Sequence, residues 1–187
     1  MRNFACLVAA ALICAAGGVS GQPAPSGGYA VKPSDVAVPQ GETLGEFRRM
    51  IQPFRNWTLI CDESLKSKRR VCNVTQSIVD PQGAVVFSWS LIATAEGRPL
   101  MMMRVPAAVG IGQPIEIAMG ARPDRIVAQT DQCGSSFCMA TIAIGDMLKR
   151  HIRAATPSKI SYQLPQAGPV ILEAPLDGLF VALSKLK

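Results

Sequence analysis

The sequence predicts an all-β sandwich with two short helices, stapled by disulfide bonds. Three observations carry this. Beyond Pro53 the apolar segments are short, β-rich and separated by turn residues at regular spacing. Helical periodicity is confined to two short stretches after residue 144. Four cysteines form two tight pairs in sequence, Cys61 with Cys72 and Cys133 with Cys138, each beside strand-like residues.

The chain opens with Arg2 and an apolar run over residues 4–16, followed by small residues through Gly21. This is the layout of a secretory signal, and the run is shorter than the ~20 residues a membrane-spanning helix needs. A signal over residues 1–21 is therefore expected, taking Cys6 and Cys14 with it. Residues 22–44 are rich in Pro, Gly and Ser without apolar periodicity, and read as a flexible leader. One folded domain is expected over residues 45–187, a length that suits a single core.

Within that domain, residues 46–51 suggest a helical turn stopped by Pro53. Residues 57–61 (WTLIC) and 71–78 read as strands on either side of a charged loop. Residues 85–94 (VVFSWSLIAT) are long, apolar and β-rich, which makes them the central strand. A turn at 96–99 leads into a hairpin partner over 100–105. Residues 115–119, 125–130 and 137–144 supply three shorter strands, and 159–164 with 170–174 supply a last pair. Residues 145–153 place Leu148 and Ile152 four apart, with Asp146 early and cations late, an order that suits a helix dipole. Residues 176–186 carry Leu179, Leu183 and Leu186 at helical spacing.

Cysteine usage points to an oxidising compartment. Four cysteines allow three pairings, and the two local ones are favoured because each needs only hairpin geometry. Counting both cysteines, such bonds close rings of 12 and 6 residues. The chain-entropy model assigns them about 2.8 and 2.2 kcal/mol. A redox or metal role fits poorly. Four residues separate Cys133 from Cys138 where a thiol oxidoreductase has two, and His151 is the only histidine. No cofactor is expected.

The ordered landmarks resemble the bacterial invasion-associated locus B family. The likeness rests on residues 54–61 (FRNWTLIC), Cys72 with Gln76, and residues 101–105 (MMMRV). It continues through residues 114–117 (PIEI), Cys133 and Cys138 followed by Ala140, and residues 176–180 (LDGLF). It spans residues 54–186. The resemblance implies an exported, disulfide-bonded, immunoglobulin-like β-sandwich from a Gram-negative bacterium, with no catalytic residues to carry across. It also implies an envelope location and, from the family's name, an association with host-cell invasion. The leader, the basic loop between the first two cysteines and Pro106 after the hairpin strand depart from the family pattern.

The strongest candidate for binding is the loop KSKRR over residues 66–70, with Lys66, Lys68, Arg69 and Arg70 held by the first cysteine pair. With a net charge of +6, such a tip suits an anionic envelope component, or a host-cell surface protein or glycan, with peripheral membrane contact. The bland reading is a solvated hairpin tip whose charge keeps an edge from pairing. Export argues against nucleic acid. Met101, Met102 and Met103 alternate faces on a strand and read as packing residues rather than a soft-metal site. Trp57 and Trp89 read as core, and His151 as a surface residue without partners for a metal or triad. Asn73 and Thr75 match a glycosylation acceptor, discounted for a strand position in a bacterial chain. Ser135 and Ser136 have no base to activate them, and Asp62 and Glu63 are expected in ion pairs. The expectation is a non-catalytic binding protein of the envelope or cell surface. The alternatives are a structural envelope-integrity factor and, more remotely, a thiol–disulfide or metal-handling protein.

Overall fold

The computed structural model describes residue 34 and residues 36–93, 98–121 and 123–186. The expected signal over residues 1–21, the expected leader through residue 33 and the first two residues of the turn expected over residues 96–99 lie outside the described residues. From residue 38 onward the chain forms one unit.

The first strand, β1 (Phe47–Phe54), forms a hairpin with β2 (Trp57–Ser64) through the two-residue turn Arg55 and Asn56. Residues 46–51 were expected to form a helical turn; residues 47–51 belong to β1 instead. The register explains why: it sets Arg48 opposite Glu63 and Arg49 opposite Asp62. Both arginines are engaged across the strands, Arg48 Nη2 to Glu63 Oε2 at 2.7 Å and Arg49 to both Asp62 oxygens at 2.7 and 2.8 Å. Opposite charges facing one another across a ladder each contribute roughly 0.2–1 kcal/mol, support that no local pattern reveals. Pro53 is tolerated because β1 is an edge, where a missing N–H costs no ladder bond.

The chain continues as a meander through β3 (Arg70–Val79), β4 (Val85–Ala93) and β5 (Pro99–Pro106). A 3-10 turn (Ala107–Val109) then leads to β6 (Pro114–Met119) and β7 (Asp124–Gln129). The short β8 (Gln132–Cys133) and β9 (Phe137–Ala143) follow, then helix α1 (Asp146–Ala154), β10 (Ser158–Leu164), β11 (Gly168–Glu173) and helix α2 (Leu179–Leu183). Two antiparallel sheets result, in the orders β1-β2-β3-β4-β5-β9-β8 and β11-β10-β6-β7. As expected from its composition, β4 is the middle strand of the larger sheet. β8 was not anticipated, and α2 is shorter than its leucine spacing suggested.

Alternation selects the core. In β2, Trp57, Leu59 and Cys61 are buried, and in β5 Met101, Met103 and Val105 are, with Met102 turned to the other face. Ile115, Ile117 and Met119 of β6 and Ile160 and Tyr162 of β10 face them from the second sheet. Trp57 stacks on Trp89 with ring centroids 5.3 Å apart, and Phe87 meets Trp89 edge-on at 5.6 Å. Tyr162 bridges the sheets, its hydroxyl donating to Val86 O at 2.7 Å. Burial pushes the Tyr162 hydroxyl above its ordinary pKa.

The segment before α2 closes the structure. Trp57 Nε1 donates to Pro175 O at 3.1 Å. Gln76, itself buried, donates to Asn56 O and Pro175 O at 3.1 and 3.0 Å and accepts from Trp89 Nε1 at 2.9 Å. Arg55 pairs with Asp177 at 2.8 Å. Gly178 follows, with φ +90°, so tight against the β1–β2 turn that a Cβ would lie 2.6 Å from Phe54 O.

Two outcomes test this packing. Gly178→Ala adds both a backbone clash and a disfavoured φ, and is expected to lower the unfolding free energy by about 1–3 kcal/mol in urea titration. Tyr162→Phe removes the inter-sheet bond and is expected to cost about 1 kcal/mol near neutral pH. A raised tyrosine pKa contributes stability that is whole below the unfolded value of ~10 and lost as pH rises past it. The wild type should therefore lose more stability above that pH than Tyr162→Phe does.

Candidate functional site

β2 and β3 run past their first cystine and end in a tight turn over residues 65–69. Ser64 builds it. Its N–H donates to Arg69 O at 2.9 Å, its carbonyl accepts from Lys68 N at 2.9 Å, and its hydroxyl accepts from Ser67 N at 3.2 Å. Lys68 takes a left-handed φ of +59° to complete the reversal. Lys66, Lys68, Arg69 and Arg70 are all exposed. Arg70 folds back, its Nη2 lying 3.2 Å from Cys61 Sγ. Among the described residues, Lys66, Lys68 and Arg69 make no ion pair.

The nearby acids are already committed. They are ion-paired as expected, but to Arg48 and Arg49 of β1 rather than to the basic turn. The hydrogen bond from Arg48, then its charge, hold the Glu63 carboxyl below the ordinary carboxylate range, with smaller help from Lys68 and Arg70. The hydrogen bond to Asp62 raises Arg49 further. A shallow basin of about 450 Å³ lies here, lined by Arg48, Arg49, Met50, Cys61, Glu63 and Arg70. Sequence reasoning missed Arg48 and Arg49. The signal was the two-residue turn at Arg55 and Asn56, which sets the register that brings them in. What the surface can do is hold an anion; its displaced titrations are accounted for by ion pairs.

Both cystines are local, Cys61–Cys72 and Cys133–Cys138. In each, the cysteines are directly opposed across an antiparallel pair with Cα atoms 4.0 Å apart, the closer of the two spacings in such ladders. Cys61 and Cys138 are buried, and Cys133 is exposed. Ser135 and Ser136 sit exposed in the β8–β9 turn.

Among the described residues no three of His, Cys, Asp and Glu converge on a common point. His151 was expected at the surface, without partners for a metal or triad. Its side chain is 16% exposed and its Nε2 lies 2.8 Å from Asp124 Oδ2, a contact 27 residues away that no local pattern announces.

The fold and surface thus define a doubly cross-linked, two-sheet β-sandwich with a cationic turn at one end. Residues 57–187 match the sequence model of the family described as "Invasion associated locus B (IalB) protein", and the chain belongs to that family. Among solved structures, the crystal structure of invasion associated protein b from Bartonella henselae is similar in fold. It shares 21% sequence identity at a TM-score of 0.61, over 73% of this chain and 94% of that one. No curated protein sequence matches the chain.

Replacing Cys61 and Cys72 together by alanine is expected to lower the unfolding free energy by about 2.8 kcal/mol. For Cys133 and Cys138 the expected loss is about 2.2 kcal/mol, the smaller ring restraining the unfolded chain less. Denaturant midpoints of the two double variants check the ranking.

Proposed function

We propose that this chain is an exported, non-catalytic protein of the bacterial envelope or cell surface. It binds an anionic envelope component, or a host-cell surface protein or glycan, through the basic end of its larger sheet. One observation carries the reading. Lys66, Lys68 and Arg69 stand exposed without ion pairs among the described residues on a turn pinned by a cystine, while Asp62 and Glu63 beside them are occupied by β1 arginines. A turn held in shape loses little conformational freedom on binding, so its charge is available at low cost.

Export is supported by the two cystines, which persist in oxidising compartments, and by the signal-like sequence over residues 1–21. Among the described residues no helix is long and apolar enough to cross a membrane. Contact with a lipid surface is therefore proposed as peripheral, each exposed cation adding about 1 kcal/mol near an anionic bilayer.

Neutralising Lys66, Lys68, Arg69 and Arg70 together to glutamine is expected to abolish retention on anionic liposomes and on envelope material at low salt. Raising the ionic strength should weaken wild-type retention in the same direction. Unchanged retention of the quadruple variant would remove the basic turn from the function and leave a structural envelope role in its place.

A further inference from the structure

A second concavity has a different chemistry. Leu91 at the end of β4, Pro99 opening β5, Ile144 after β9, Ile152 of α1 and Phe180 and Leu183 of α2 form the apolar walls of a cleft of about 410 Å³. That volume falls within the range of small-molecule sites. The spacing explains the lining. Phe180 and Leu183 are three apart on α2, and Lys149, Ile152 and Arg153 share one face of α1. Lys149 and Arg153 therefore stand at the edge of an apolar hollow whose lining, among the described residues, holds no carboxylate.

Phe180 is 51% exposed, and Val181 beside it 53%. Of the two, Phe180 lines the cleft and leaves a large apolar surface open there. Lys149 touches Asp146 at 3.1 Å, an exposed pair that yields readily to a competing anion. Arg153 makes no ion pair among the described residues. Val74 pairs with Leu91 and Leu91 with Met101, so the cleft lies at the same end of the larger sheet as the turn over residues 65–69.

We propose that this cleft binds the acyl chain of a single-chain anionic amphiphile, with the anionic head held by Arg153 and Lys149. The apolar walls match a hydrocarbon chain, and the paired cations at the mouth select the sign of the head. The site is distinct from the basic turn, and its occupation does not require that turn to bind anything.

The test is calorimetric titration of the purified protein with dodecanoate below its micelle concentration. Dodecyltrimethylammonium, with the same chain and the opposite head, serves as the comparison. Saturable one-to-one binding of dodecanoate is expected, with the cationic amphiphile weaker by about tenfold or more. Phe180→Ser removes apolar wall and Arg153→Glu reverses the head contact; each is expected to weaken dodecanoate binding about tenfold. Both positions are exposed, and thermal melts verify that the variants fold. The variant neutralised at Lys66, Lys68, Arg69 and Arg70 should bind dodecanoate like the wild type. Absence of saturable binding, equal affinity for the two heads, or indifference to both cleft substitutions would each overturn the proposal.

Discussion

The carboxamide of Gln76 is the point at which the sheet, the first hairpin and the carboxy-terminal segment are tied together. An indole N–H can only donate, so the bond from Trp89 Nε1 fixes the carboxamide oxygen as acceptor. The amide nitrogen is then obliged to face Asn56 O and Pro175 O. Pro175 O also accepts from Trp57, so one carbonyl serves both the glutamine and the tryptophan stacked on Trp89. Each group in this knot would cost about 1–3 kcal/mol if buried without a partner. Its members come from separate parts of the chain and are satisfied only when those parts are in place.

That constraint organises what lies around it. With Pro175 held, Asp177 reaches Arg55 and Gly178 fits against the hairpin turn, which delivers Leu179 and Ala182 of α2 into the core. The two cystines secure the larger sheet at opposite ends. One lies where β2 gives way to β3, the other where β8 turns into β9 beside the end of β5. The interior is thereby committed to packing. The proposed chemistry is confined to the end where the basic turn and the α1–α2 cleft project.

Much of this was legible in the sequence because the signals were local. The β-branched and aromatic run in β4 marks a strand buried on both sides by neighbours, and the alternating methionines of β5 show which of them face inward. The basic turn was visible as a charge run, and the cystines as close pairs. What escaped depended on register or on distance along the chain. Residues 47–51 carry no strand pattern of their own; they become part of a strand because Arg48 and Arg49 meet acids across a hairpin. The two-residue β8 exists only as the partner of Cys138 and Met139. His151 finds Asp124 through the packing of α1 beside the start of β7. The apolar cleft combines side chains from β4, β5, α1 and α2, so no window of sequence contains it.

Hydrogen exchange at the two indole nitrogens, followed by NMR, probes the Gln76 knot most directly. If Trp57 Nε1–H and Trp89 Nε1–H are locked as described, both protons should exchange only as fast as the whole domain unfolds, and their rates should fall together. Rapid exchange of either indole proton under conditions where the core amides of β4 remain protected would contradict the account.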